Sequence, residues 1–245
     1  MQCVVYVDFD GTIAPDDPTD ALFDRFAAPS WRQIEDEWQS GRRSARDCME
    51  QQVALLRATP GDLDDFLAGV SIDPGFLDFV RVCRRHSAAI VVVSDGLDRV
   101  VSTVLKAAGV DLPFYANKLC WRGGDRWQLA FPHLREDCAA GLGNCKCSHR
   151  RAGHRIREVM VGDGRSDFCI AERSDLVLAK GTLAAHCERL DLPHTRFDTF
   201  ADVNAVLDVW LAKAHPRKRA HRTRTVFEPH KPEPIPSHLG SLRGK

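Results

Sequence analysis

The spacing of apolar residues changes several times along this chain, and the changes divide it into segments. An unbroken apolar run, Val4-Val5-Tyr6-Val7, predicts a strand buried on both faces. From 15 to about 86 the period becomes helical. Trp31, Ile34 and Trp38, then Met49, Val53 and Leu56, then Leu63, Phe66 and Leu67 fall at helical spacings. A second buried strand, Ala89-Ile90-Val91-Val92-Val93, ends in Ser94-Asp95-Gly96, and the helix predicted over 100–108 stops at Gly109. Residues 114–131 read as short strands around a Gly123-Gly124 turn, the pattern of a hairpin. A third buried strand over 158–161 runs into Gly162-Asp163-Gly164. A short helix from Ser166, a fourth strand over 176–179 ending at Lys180-Gly181, and two more helices complete the body.

Strands alternating with helices, with polar residues at each strand's C-terminal end, predict an α/β fold. Its core is a Rossmann-like parallel sheet formed by residues 1–14 and 88–213, and residues 15–87 are an inserted all-helical cap. Residues 214–245 are basic, Pro-rich and without periodicity, and predict a disordered tail.

The 245 residues suffice for a sizeable core. Formal net charge is zero, yet Arg217-Lys218-Arg219, Arg222, Arg224 and Lys231 face only Glu228 and Glu233, so the body before them is net acidic. That balance disfavours nucleic acid as a partner. The tail alone offers charge for docking nucleic acid, an acidic protein or anionic lipid. No apolar run approaches the roughly 18 residues of a membrane span, and no basic leader precedes the first strand, which predicts a cytoplasmic protein without a membrane partner. Oligomeric state stays open between monomer and homodimer. Of the nine cysteines, Cys3, Cys83, Cys169 and Cys187 sit in apolar segments and read as small buried hydrophobes.

Candidate chemistry gathers at the first strand end, Asp8-Phe9-Asp10-Gly11-Thr12. Two carboxylates about 4 Å apart repel by roughly 4 kcal/mol at an effective dielectric near 20. The cost falls away if a cation lies between them or one is protonated. The pair therefore points to a metal, with one carboxylate as nucleophile and the other as proton carrier. A solvated acidic turn is the bland alternative.

These residues, with Ser94, a lysine, and Gly162-Asp163-Gly164-Arg165-Ser166-Asp167, resemble the haloacid dehalogenase superfamily of phosphohydrolases over residues 3–212. The resemblance implies Mg²⁺ bound by Asp8, the Asp10 carbonyl and Asp163, with Asp167 holding a metal-bound water or orienting the lysine. It implies Asp8 as nucleophile and Asp10 as acid and base. It also implies a phosphate site at Gly11, Thr12, Ser94, Asp95, Gly96 and the lysine. Lys146 fits the family's order, although Cys147 stands where proline is usual; Lys118 and Lys180 are the substitutes. Asp10 argues against a dehalogenase or an ATP-driven pump. With every chemical position filled, an inactive binding module with a docking tail is the weaker class.

The helical insert resembles that of phosphoserine phosphatases. Trp31-Arg32-Gln33-Ile34-Glu35-Asp36-Glu37-Trp38, Cys48-Met49-Glu50-Gln51-Gln52-Val53 and Tyr115-Ala116-Asn117 resemble a narrower group. Its members dephosphorylate 2-hydroxy-3-keto-5-methylthiopentenyl-1-phosphate in methionine salvage. Trp31, Trp38 and Met49 are candidates to receive that substrate's thioether tail. Phosphoserine, phosphocholine or phosphoethanolamine, and pyridoxal phosphate remain alternatives. Finally, His133, Cys138, Cys145 and Cys147 offer the donors of a tetrahedral Zn²⁺ site.

Overall fold

The computed structural model describes residues 2–138, 140–150 and 156–214. Its centre is a seven-stranded sheet in the order β4-β3-β2-β1-β5-β6-β7. The strands are β1 (Gln2–Val7), β2 (Ala89–Leu97), β3 (Phe114–Trp121), β4 (Trp127–Ala130), β5 (Ile156–Gly162), β6 (Leu176–Ala179) and β7 (Thr195–Arg196). All neighbours are parallel except β3 and β4, the expected hairpin, whose turn holds Gly123 and Gly124 at positive φ. The fold is thus the α/β class expected. β7 is an addition, two residues being too few to display a period.

The apolar runs are continuous because both faces of the sheet are covered. Val5 and Val7 of β1, with Val92 and Val161, enter one core, whereas Val4 and Tyr6, with Val93 and Met160, enter the other. The Tyr6 hydroxyl stays paired there, donating to His149 O at 3.0 Å.

Helices α1 (Pro18–Phe26), α2 (Trp31–Gln39), α3 (Ala45–Leu55) and α4 (Pro60–Leu67) follow β1. Their starts are legible in local chemistry. The Asp17, Ser44 and Thr59 side chains accept the N-terminal amide hydrogens of α1, α3 and α4, and Pro18 and Pro60 occupy first-turn positions. The insert is tied down through Trp127, whose Nε1 donates to Ala58 O at 2.8 Å.

Helix α5 (Phe76–Arg85) falls within the segment 15–87 expected as the cap. Its Phe76 and Phe79 rings pack on Phe200 of α9 (Phe200–Ala214), with centroids 5.2 and 5.1 Å away, so α5 belongs to the sheet's own layer. Helical periodicity alone does not distinguish a cap helix from a core helix. Helix α6 (Asp98–Ala107) follows β2, α7 (Phe168–Ala171) follows β5 and α8 (Gly181–Arg189) follows β6. Among the described residues no helix is long and apolar enough to cross a membrane. The tail from residue 215 lies outside the described residues.

Candidate active site

Strand order reverses at β1, so the crevice beyond its C-terminal end is where an open α/β sheet takes a ligand. Asp8 N donates to Val161 O at 2.9 Å, which holds the first carboxylate at that edge. Lys146 opens a 3₁₀ turn, Lys146–His149, and is fully buried. Its Nζ lies 2.6 Å from Asp8 Oδ1 and 2.6 Å from Asp167 Oδ1. Burial works against the ammonium, but the two carboxylates outweigh it and raise its pKa. The structure therefore brings Lys146 to the site. Lys118 is exposed on β3, and Lys180 stands 5.3 Å from the Phe197 ring.

Asp8, Asp163 and Asp167 place carboxylate oxygens within 4.8 Å of one another. Burial, then the Asp167 charge, drives Asp8 well above the usual carboxylate range despite Lys146. Asp163 rises to about 6, through burial and then Asp167. A dense set of hard, buried oxygens of this kind fits Mg²⁺. Within it Asp167 stands where it orients the lysine, one of the two tasks expected of it. Its Oδ1 takes Lys146, and its Oδ2 takes the amide hydrogens of Asp163 and Gly164 at 3.1 Å each. It fixes the other members, while Asp8, Asp163 and Asp167 together remain the carboxylate group that could hold a metal.

Asp10 belongs to a separate hydrogen-bond set. Its Oδ1 accepts the Thr19 hydroxyl at 2.7 Å and the Thr19 amide at 3.2 Å, and its Oδ2 accepts the Ser94 hydroxyl at 3.1 Å. Burial raises its pKa against those hydrogen bonds. Gly96 N donates in turn to Ser94 Oγ at 2.8 Å. A Cβ on Gly96 would stand 2.5 Å from Asp10 Oδ2, so this approach requires glycine. The register shift in β2 between Val93 and Leu97 frees this stretch from the ladder.

Two residues of the expected phosphate site have their side chains on protein partners. Thr12, fully buried, gives its hydroxyl to Asp163 Oδ1 at 2.7 Å. The Asp95 carboxylate accepts Asn144 N at 2.8 Å and Asn117 Nδ2 at 3.2 Å, tying β2 to β3 and to the lysine loop. Both side chains hold neighbouring segments in place, and the Asp95 carbonyl also accepts Asn117 Nδ2. Gly11, at φ 72°, lets the β1 turn close on Asp163, whose Oδ2 would meet a Cβ at 2.5 Å.

A cavity of 160 Å³ joins these residues to the insert. Asp8, Asp10, Gly96, Asp163 and Arg165 line it from the sheet, and Asp17, Asp20, Glu35, Trp38, Met49 and Gln52 from the insert. Burial and then Asp10 raise Asp17 to about 8; burial and then Glu35 raise Asp20 to about 6. Arg165 Nη1 donates to Gln39 O at 2.9 Å and its guanidinium lies 5.3 Å from the Trp38 ring, bridging sheet and insert. Trp31 does not reach the cavity. It is buried against Phe23, ring centroids 5.8 Å apart.

The expected zinc set divides. His133 packs edge-on to Tyr115 and His149, with centroids 5.1 Å away, apart from the cysteines. Cys145 and Cys147 do come together, Sγ atoms 3.2 Å apart, and the third member is Cys169, which the sequence placed in the core. Thr19, Asn144, Glu35 and Arg165 were also missed. Glu35, Arg165 and Asn117 stand in stretches that carry the family resemblance, whereas Thr19 does not.

Residues 5–172 match the family described as haloacid dehalogenase-like hydrolase. A 2-hydroxy-3-keto-5-methylthiopentenyl-1-phosphate phosphatase of Brevibacillus brevis is 32% identical over 210 residues, 83% of this chain and 94% of that protein. The protein of the same name from Geobacillus kaustophilus is 31% identical over 82% of this chain and 94% of its own. Among solved structures, the phosphoserine phosphatase from T. onnurineus superposes with a TM-score of 0.62 at 17% identity, covering 85% of this chain and 95% of that one, which speaks to fold.

Proposed function

The chain belongs to the haloacid dehalogenase-like hydrolases and is a phosphatase, and we propose that it cleaves phosphate monoesters of small metabolites through an aspartyl-phosphate on Asp8. The observation that carries this reading is the arrangement around one cavity of a buried carboxylate paired to a fixed cation and a second carboxylate with a raised pKa. Asp8 attacks phosphorus, dividing one slow step into two. Asp10 keeps a proton for the departing alcohol oxygen, then takes one from the water that hydrolyses the intermediate. Lys146 stays charged throughout and offsets the negative charge around Asp8. Mg²⁺, which Asp8 and Asp163 with the Asp10 carbonyl would hold, supplies charge neutralisation for the phosphoryl group. The insert over the cavity acts as a lid that excludes water.

The lead substrate is 2-hydroxy-3-keto-5-methylthiopentenyl-1-phosphate, which places the protein in methionine salvage in the cytoplasm. The relatives' names support it, and Trp38, Ala45 and Met49 give the thioether an apolar wall. A second reading has its own support. Asp17, Asp20 and Glu35 line the same cavity and suit the cationic head of phosphocholine or phosphoethanolamine. Purified protein with Mg²⁺ should be assayed on these three esters, phosphoserine and pyridoxal phosphate. The lead reading expects kcat/KM for the thioether ester about tenfold or more above every other, a difference of roughly 1.4 kcal/mol in transition-state binding. Preference for an amino-alcohol phosphate would transfer the assignment to the second reading, and no turnover of any ester would reject both.

A further inference from the structure

Lys146 lies between two cysteines, and Asp167 lies two residues before a third. The Sγ atoms of Cys145, Cys147 and Cys169 are all within 4.8 Å of one another, and those of Cys145 and Cys147 are 3.2 Å apart. The Cys138 thiol is in hydrogen-bonding contact with Cys145. Three thiols from the start of the 3₁₀ turn, the turn itself and α7 thus meet at one point, with Cys138 beside Cys145. We propose that Cys138, Cys145, Cys147 and Cys169 form a structural Zn²⁺ site that fixes the Lys146 turn to the start of α7. This site stands independently of the substrate reading and uses no residue of the phosphate chemistry.

The donor set is the first argument. Zinc in structural sites is bound by four thiolate or imidazole ligands at about 2.3 Å for sulfur, which puts neighbouring sulfurs roughly 3.8 Å apart in a tetrahedron. The three mutually close thiols, all within 4.8 Å of one another, lie in the range of that spacing. Soft sulfur donors favour zinc over the hard cation that suits the carboxylate cluster. Surroundings make the second argument. Cys3, Cys83 and Cys187 are buried within the apolar cores, as packing cysteines are. Cys138, Cys147 and Cys169 are only partly buried, and Cys147, although it packs against one core, also meets the Cys145 and Cys169 thiols.

Position gives the site a role. Lys146 is fully buried, yet it is carried on a loop that has little regular structure of its own. The pairings of Lys146 with Asp8 and Asp167 demand that this loop and α7 keep one relative placement. A metal joining Cys145 and Cys147 to Cys169 would impose that placement from beneath.

The full-length chain, produced in zinc-supplemented medium and desalted, should carry one zinc per molecule by elemental mass spectrometry. Replacement by Co²⁺ should give the intense visible bands of a tetrahedral thiolate site with sulfur-to-metal charge transfer. Cys169→Ser should lose most of the metal, whereas Cys187→Ser should keep it. Stripping zinc should increase hydrogen exchange at residues 144–149 and in α7. The Co²⁺ spectrum of the unaltered chain decides the matter even if a serine variant fails to fold. Nine titratable thiols with no bound metal, a Cys145–Cys147 or Cys147–Cys169 disulfide in peptide maps, or no thiolate band with Co²⁺ would overturn the proposal.

Discussion

Replacing Lys146 by Met would leave Asp8 and Asp167, each 2.6 Å from its ammonium, as buried carboxylates without their cation. Breaking one side of a buried pair costs about 3–5 kcal/mol. Lys146→Met should therefore lower the melting temperature and reduce kcat by about 100-fold or more; a stable variant with full turnover would remove Lys146 from the chemistry. The acidic cavity makes a separate prediction about pH. Asp17, Asp20 and Asp163 titrate near 8, 6 and 6, above the ordinary value of 3.8, chiefly through burial. Between that value and about 8 the folded chain holds more protons than the unfolded chain, so these groups lower stability as pH rises. Asp17→Asn should remove the upper part of this fall. In metal-free protein the melting temperature of the variant relative to the parent should climb from pH 6 to pH 8. Mg²⁺ should also raise the melting temperature more at pH 8 than at pH 5.5, because it favours anionic Asp163. Parallel melting curves for variant and parent across this range would contradict the burial of Asp17. The carboxylates and glycines of the site were legible because each sits in a short motif at a strand end. Thr19, Asn144 and Arg165 were not, because their partners are set by folding and no local period announces them.

Two tryptophans of the insert separate packing from recognition. Trp31 is buried against Phe23, while Trp38 faces the cavity and meets Arg165. Trp31→Ala should cost about 3–5 kcal/mol and depress every substrate in proportion to the folded fraction. Trp38→Ala should keep the melting temperature and reduce kcat/KM for the preferred metabolite far more than for a small aryl phosphate. Arg165→Ala removes one hydrogen bond and one cation–π contact across the lid, together about 1.5–2 kcal/mol, and should raise KM for the metabolite about tenfold. Equal losses on both substrates for Trp38→Ala would mean that the insert merely holds itself together. Sequence periodicity placed both residues on helices, but it could not say which face meets the sheet. Nor could it say that Phe76 and Phe79 of α5, which repeat as a cap helix would, pack on Phe200, more than a hundred residues away.

For the whole molecule, the alternation of buried strands and helices was readable because each strand is covered on both faces and so appears as a continuous apolar run. What was not readable is the set of ties among loops that are distant in sequence, such as Asp95 with Asn144 and Cys147 with Cys169. A chain ending at Ala214 should retain the parent's melting temperature and kcat, because the sheet, the insert and every site residue lie before that point. The central claim is that hydrolysis passes through a covalent bond to Asp8, and the direct measurement is rapid-quench mass spectrometry during turnover of an aryl phosphate with Mg²⁺. Asp10→Asn serves as the trap: an aryl leaving group needs little protonation, whereas hydrolysis of the intermediate still needs Asp10 as base. The account predicts one phosphoryl group per chain in this variant, mapped to the peptide carrying Asp8 and absent when Asp8 is also changed to Asn. Turnover by the parent enzyme with no phosphoryl group on Asp8 in either protein, or undiminished turnover by Asp8→Asn, would contradict it.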